Sequence, residues 1–561
     1  MKLSRMKGIA LDLGTSGFRA QAIKEDGGVY STAISANHPL PGANVMDHLH
    51  FCLELGADLT HTLMMAAVNR VLASLSVDLS EIRLVAVCGN PIQLSLFQKM
   101  EIRDLAFAGR RAQRKLGIVE PVRRDATIRL AAELGLHVHP DAKIIIPPVV
   151  KHEIGADALA MMHVTGMLER DEIALVTDYG TNAEMALKVG DDILTGSAAA
   201  GPALEGQHVS SGMLAAPGAI AGVSFRGDAW LAWVLDEQLE STEGDWCSPR
   251  DGDCSLLGPM HGKARGITGT GVVAALAEGI RSGLVGPPVI ASQDGMLHFQ
   301  DGIRLLEKDV KEAGKAIGAI RAGHLTLAEA AGIKLSDIDV VYMTGASGTY
   351  VDAIQAQEVG LVPNGVARIV QAGNTSLRLA GELVRDPLLL PRLQEIADGI
   401  RARHEMFADS SVFKNAYVCE LAFWDEGMPE AMMADMLAMY GIQPFPPRGR
   451  EPEVIRLATK DIVDVGDLSL SVLHGVGVSL WMQAAECLGE DCGVCVDECP
   501  EGAREIRAVD GSDFVVVRSE LCNGTACRRC EAVCASGAFH YDQLRFDPEL
   551  PGQAPNRVEG L

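Results

Sequence analysis

The sequence predicts a large α/β body followed by a small α+β module built around cysteines, and three observations carry that expectation. The chain of 561 residues is 48% hydrophobic but only 4% aromatic, with 59 glycines. This is the composition of Ala/Val/Leu/Gly-rich α/β cores rather than of disorder or all-β packing. A strand-and-turn segment near the start is echoed 166 residues later, and eight of the 13 cysteines fall in two matched runs close to the end.

A chain of this length implies three or four domains of roughly 150 residues each. They are expected at 1–150, 151–390, an intermediate segment 391–480, and 481–561. The net charge of -25 argues against nucleic acid or anionic membrane as a partner, since both need basic surfaces. The opening MKLSRMKGIALDLG reaches Asp12 after a short apolar run, too short for a signal peptide. No uncharged stretch approaches the roughly 18 residues of a bilayer span. No membrane span and a cytoplasmic location are expected, and there paired cysteines serve as metal ligands more often than as disulfides.

The echo joins GIALDLGTSGFRAQAI, residues 8–23, to ALVTDYGTNAEMALKV, residues 174–189. It superimposes Asp12 on Asp178, Gly14 on Gly180, Thr15 on Thr181 and Ser16 on Asn182. In each copy an apolar strand ends at Asp, a Gly-Thr turn follows and alternation resumes until EDGG or VGDD, so each reads as a β-hairpin. In a P-loop or Rossmann fingerprint the glycine turn opens a helix instead. Turns of this kind aim backbone N–H groups and a hydroxyl at phosphate oxygens, while a strand-end Asp holds Mg2+ through water. One D-x-G-T is as readily an ordinary tight turn; two in matched context predict phosphate contacts, and two such tips facing one another would clamp a nucleotide.

A third element, DIDVVYMTGASGTYVDAIQAQEVGL at 337–361, reads as a strand, a turn at Gly345, Ala346, Ser347 and Gly348, and a helical stretch. This resembles the adenosine-binding turn of the actin, sugar kinase and heat-shock ATPase superfamily, whose body is two ribonuclease H-like lobes. GITGTGVVAALAEGI at 266–280 is similar to that superfamily's connecting helix. The resemblance implies ATP/ADP with Mg2+, Asp12 and Asp178 in catalytic Mg2+ and phosphate roles, and the two turns and Gly345 to Gly348 as nucleotide contacts.

Residues 36–150 read as elaboration of the first lobe, with helical stretches at 55–75 and 125–136 and a Gly-Asn-Pro turn at 89–91. His137 and His139 are expected on the exposed face of a strand rather than as metal ligands. Residues 404–437 suggest a strand and an amphipathic helix, and PFPPRGREPE at 444–453 a linker. Cys52, Cys88, Cys247, Cys254 and Cys419 are scattered, and each is expected as a buried apolar thiol.

The two runs are Cys487, Cys492, Cys495, Cys499 and Cys522, Cys527, Cys530, Cys534, each with intervening gaps of four, two and three residues. The tail of the first run, with Pro500 after it, resembles the bacterial two-cluster ferredoxin pattern, in which the fourth thiolate of each run ligates the other run's cluster. That implies two [4Fe-4S] clusters, one on Cys487, Cys492, Cys495 and Cys534, the other on Cys522, Cys527, Cys530 and Cys499. The sequence departs from the pattern in its first gap and in Ala535 after the second run. Two zinc sites are the alternative, although zinc ribbons present paired C-x2-C. Glu490, Asp491, Asp497 and Glu498 crowd the first run while Arg528 and Arg529 sit in the second, so an acidic electron donor is expected near the arginines.

The blocks 178–187, 197–220, 266–271, 306–317, 344–363 and 371–382 (DYGTNAEMAL, SAAAGPALEGQHVSSGMLAAPGAI, GITGTG, LEKDVKEAGKAI, TGASGTYVDAIQAQEVGLVP and QAGNTSLRLAGE) together resemble the reductive activators of corrinoid proteins. With the tandem cysteines at the C-terminal end, the resemblance is to their methylamine methyltransferase type. Glu205 and Asn374 match motifs of that family. The resemblance implies an ATP-dependent oxidoreductase that returns a corrinoid protein from inactive Co(II) to Co(I), drawing on a low-potential donor such as ferredoxin. Such a step is uphill for ferredoxins near -400 mV, at about 2.3 kcal/mol per 100 mV. An ATP-driven electron injector for a radical dehydratase would share these features. A phosphotransferase with a sensor cluster and a non-catalytic iron-sulfur scaffold stand further off.

Overall fold

Met6–Leu13 carries Ile9, Ala10, Leu11 and Leu13 with no exposed surface, the continuous apolar run of a strand covered on both faces. It pairs antiparallel with Phe18–Lys24, which pairs with Val29–Ser35, and parallel with Leu84–Gly89. In the computed structural model these strands lie in a seven-stranded sheet ordered Ser471–Leu473, Val29–Ser35, Phe18–Lys24, Met6–Leu13, Leu84–Gly89, Lys143–Ile146, Thr127–Leu130. The structure describes residues 5–106, 114, 115, 117, 118, 122–151, 154–180, 182–198, 209–449, 451–468, 470–483, 487–489, 492–509 and 512–547. Thr181 and Glu205 lie outside the described residues.

The echo in sequence is an echo in topology. Ala174–Tyr179, Ala183–Val189 and Asp192–Ala198 form the same meander, and Val340–Thr344 then adds parallel to the first of them, followed by Arg368–Gly373. Arg401–His404 and Glu453–Arg456 close the two edges of this second seven-stranded sheet. Both predicted hairpins are present, each extended by a third strand. The parallel additions require long crossovers; before Val340–Thr344 the crossover includes the 25-residue helix Glu307–Ala331. Gly314 and Gly318 let this helix approach Ser411–Glu426, since a Cβ there would stand 2.5 Å from Trp424 and 2.7 Å from Glu420. The buried pair Arg321 to Glu420, 2.7 Å, joins the two helices.

The chain forms two compact units, 1–160 with 376–399 and 464–561, and 161–375 with 400–463. They do not follow the expected boundaries at 150, 390 and 480, because the intervening segment supplies edge strands to both sheets. Residues 404–437 hold two helices rather than one, Ser411–Glu426 and Glu430–Met439, separated by Gly427 at φ +74 and Pro429. The stretch 125–136 is a strand, Thr127–Leu130, and a short helix, Ala131–Leu134. His139 lies in the turn after that helix, not on a strand, with its Nδ1 2.6 Å from Arg83 Nη1. Cys52, Cys88 and Cys419 are buried thiols as expected. Cys247 and Cys254 instead form a disulfide, because strands Ser241–Cys247 and Cys254–Leu256 put them directly opposite one another.

Within the first unit, the C-terminal module is an antiparallel sheet ordered Ser479–Gln483, Ser512–Arg518, Arg504–Val509. Its Leu480, Trp481, Val515, Val516 and Val517 are buried. The module rests on the loop and helix at 38–55 of the same unit. Gly42 N donates to Cys522 O at 2.8 Å, Arg528 pairs with Glu54, and Arg70 Nη1 donates to the carbonyls of Val476 and Gly477.

Candidate functional site

In the first unit, Asp12 is 4% exposed beside its cross-strand neighbour Arg19, whose Nη1 lies 3.4 Å from Asp12 Oδ2. The strand then turns through Gly14, Thr15 and Ser16, of which Ser16 is exposed. Asn90 Nδ2 donates to Thr15 Oγ1 at 3.2 Å, and its Oδ1 accepts from Gln93 N to cap the helix Pro91–Phe97. The Gly-Asn-Pro turn, predicted only as a turn, therefore buttresses the hydroxyl that faces the site. Gln93 reaches on to His48 Nδ1 at 2.8 Å and His38 Nε2 at 3.1 Å, and the two rings stack at 3.9 Å. Burial holds the His38 ring down to about 3, so this pair is neutral.

Asp157, at the start of the helix Ala156–Val164, is a second acid at this site that sequence reasoning missed. Burial, with the Asp12 charge adding to it, raises its carboxyl to about 6. No motif surrounds Asp157, since it reaches Asp12 only through the tertiary fold.

In the second unit, Asp178 lies directly across a parallel pair from Thr344, whose Oγ1 donates to Asp178 Oδ2 at 3.3 Å. Gly345 follows with φ +78, and a Cβ there would stand 2.4 Å from Asp178 Oδ1. The fold thus joins the second Asp to the glycine segment across 166 residues of chain. Gly345 to Gly348 do not form a turn preceding a helix; they are the first residues of the helix Gly345–Tyr350 itself. A tight N-terminal turn needs glycine at the left-handed position and leaves the first N–H groups free to face a ligand. Gln371 Nε2 pins the segment by donating to the carbonyls of Gly348 and Val351 at 2.9 and 2.8 Å. Beside it is a small, largely apolar pocket lined by Tyr179, Gly269, Val273, Met343, Ser347, Val351 and Leu361. Gly269 opens the helix Gly269–Arg281, capped by Thr268, so the predicted connecting helix is present. Gly180 and Asn182 follow Asp178 in the turn, and Asn374 N donates to Asp461 O at 3.4 Å.

Cys499, Cys522, Cys527 and Cys530, one of the two expected sets, line a single pocket together with Glu501, Arg504, Arg528 and Tyr541. Cys499 comes from the first run, as the crossed ligation requires. Cys495 feels the charges of Cys487 and Cys534, of its own expected set, and likewise of Cys530, of the other. Burial pushes the Cys522 thiol up to about 11, so loading a cluster there releases a proton. Four thiols lining one pocket are the donor chemistry of a thiolate-held iron-sulfur cluster. Arg528 is committed to Glu54 and Glu531, while Arg529 is exposed. No described helix is long and apolar enough to cross a membrane.

Two family models match the chain: residues 7–170 fit the RACo middle region, and residues 172–434 fit the C-terminal domain of RACo, the ASKHA domain. A "[Co(II) methylated amine-specific corrinoid protein] reductase" from Methanosarcina barkeri is 48% identical over 93% of this chain and 96% of its own length. The corrinoid activation enzyme RamQ of Eubacterium limosum is 26% identical, covering 53% and 49%. An uncharacterized ferredoxin of Methanocaldococcus jannaschii is 40% identical over 11% of the chain and 86% of its own length. Among solved structures, a reductive activator for a corrinoid, iron-sulfur protein aligns with a TM-score of 0.60 at 23% identity, covering 75% of this chain and 66% of that one.

Proposed function

This chain belongs to the RACo-type reductive activators of corrinoid proteins, and from that premise we propose that it is an ATP-dependent oxidoreductase that returns Co(II) in a methylamine-type corrinoid protein to Co(I). What carries the reading is a cavity walled by four thiols in a chain that matches a Co(II) corrinoid protein reductase almost end to end.

In this reading two [4Fe-4S] clusters supply one-electron carriage, and MgATP supplies the free energy and the change of state. Cys487, Cys492, Cys495 and Cys534 hold one cluster; Cys522, Cys527, Cys530 and Cys499 hold the other. Asp12, with Asp157 beside it, and Asp178 hold the magnesium and phosphate groups. Gly14, Thr15, Ser16, Gly180, Thr181 and Asn182 present turn N–H groups and hydroxyls to phosphate oxygens, with Asn90 orienting Thr15. Gly345, Ala346, Ser347 and Gly348 take the adenosine beside the apolar cavity. A nucleotide shifts the partner's equilibrium only if its triphosphate and diphosphate states bind the corrinoid protein with different affinities. A low-potential ferredoxin is the donor this scheme calls for.

The test is anaerobic spectroscopy of a Co(II) corrinoid protein mixed with this chain, a reductant and ATP. A Co(I) band that depends on both ATP and this chain is expected. Equal reduction without ATP would sink the coupling, and ATP-dependent activation of a radical dehydratase in place of the corrinoid protein would move the chain to that class.

A further inference from the structure

Arg504 is 5% exposed, and among the described residues no hydrogen-bond acceptor meets any of its three guanidinium nitrogens. A guanidinium stays protonated under all ordinary conditions, and burying it unpaired costs several kcal/mol. Its face lies 3.7 Å from the centre of the Phe539 ring, but such a contact returns only about 2 kcal/mol. What does surround it is sulfur. Arg504 lines one pocket with Cys499, Cys522, Cys527 and Cys530. Burial pushes the Cys530 thiol up, and the Arg504 charge opposes that shift. It acts in the same sense on Cys495, a member of the other set. A buried cation to which no carboxylate is hydrogen-bonded, in a pocket walled by four thiols, is placed to meet an anion that is not a side chain.

We propose that Arg504 is the built-in counter-charge of the two iron-sulfur centres. It raises above all the potential of the one held by Cys522, Cys527, Cys530 and Cys499, making that the higher of the two. The proposal rests on the two-cluster reading. Reduction of that centre adds one electron and one negative charge beside a cation that is already fully protonated, so no proton need accompany it. The cation stabilises the reduced state more than the oxidised one. Electrons entering the module would then settle on the second-run centre, on the side of the module that rests on the loop at 38–44 of the first unit.

The test is a redox titration, followed by electron paramagnetic resonance, of the full chain loaded with iron and sulfide. Wild type is compared with Arg504→Met, Arg504→Gln and Arg504→Lys. In Arg504→Met the ratio of reduced to oxidised higher-potential centre at fixed potential should fall at least tenfold, a shift of about 59 mV for one electron. Arg504→Lys should retain most of the wild-type value. Unchanged midpoints in a fully loaded Arg504→Met protein would overturn the proposal, as would an equal shift in Arg504→Lys. If both neutral variants fail to hold iron while Arg504→Lys holds it, the counter-charge stands as a requirement for assembly; loss in all three would make Arg504 a packing residue. A wild-type protein that takes up neither cluster overturns the underlying two-cluster reading instead, and iron and labile sulfide analysis tells the two failures apart.

Discussion

Consider Gly345→Ala. Gly345 sits at φ +78, where an L-residue costs about 1–2 kcal/mol more than glycine. The new methyl would also stand 2.4 Å from Asp178 Oδ1 and 3.1 Å from its Cγ, so the carboxylate must swing away and surrender its bond from Thr344 Oγ1. That bond is worth about 1 kcal/mol net, bringing the total to about 2–3 kcal/mol. For a body of 150–250 residues each kcal/mol moves the midpoint by roughly 2–4 °C, and this unit is somewhat larger. A fall of about 4–8 °C in the second unit's melting midpoint is expected, read by calorimetry. The displaced carboxylate should in addition weaken the stabilisation given by Mg-ADP. Gly348→Ala is the control: its φ is ordinary and a Cβ there meets Tyr179 at 3.0 Å, so it should cost less. A Gly345→Ala protein that melts with wild type and gains as much from Mg-ADP would refute both the strain argument and the link between Gly345 and the site.

Other changes test other parts. Cys499→Ser should damage the cluster of the second run before that of its own run, read as loss of one spectroscopic signal at half the iron content. Asp157 binds a proton more tightly folded than unfolded, so in metal-free protein its contribution is present at low pH and lost as pH rises from its ordinary range through about 6. Asp157→Asn should flatten that decline in the melting midpoint, and an unchanged pH profile would count against the raised carboxyl. Asp104→Ala leaves Arg124, 5% exposed and bonded to both oxygens of Asp104 at 2.9 Å, as an unpaired buried cation. It should cost the first unit about 3–5 kcal/mol. Lys315→Ala, which breaks a half-exposed pair with Glu312, should cost under about 1 kcal/mol.

The parts of this molecule that were legible in its sequence are those whose cause is local. A strand ending at Asp, a Gly-Thr turn and a returning strand announce themselves within 16 residues, and repetition gave them weight. Thiol spacing did the same for the cluster module, and Cys499 lines a pocket with Cys522, Cys527 and Cys530. The missing pieces are held by contacts across distant chain. Asp157 reaches Asp12 through packing, Gly345 abuts Asp178 because Val340–Thr344 adds parallel to a strand far upstream, and Asn90 supports Thr15 across 75 residues. Arg504 hides in a position that reads as one charge among many, since only burial makes it informative. Cys247 and Cys254 were misread because their pairing follows from strand register and not from their spacing in the chain.

Gly42 joins the body to the cluster module through main chain alone, its N–H meeting the carbonyl of Cys522. At φ +124 it admits no side chain, since a Cβ would stand 2.2 Å from that of Asp47. At this point the seam asks for a glycine on one side and for main chain alone on the other, while Arg528 with Glu54 and Arg70 add side-chain contacts around it. Side chains around it can drift, and a module from a relative can be grafted in its place, while the docking bond persists. Heritable variation between such proteins should therefore gather in the cluster environment and the docking periphery, with the hinge of their kinship fixed at a residue that has no side chain to vary.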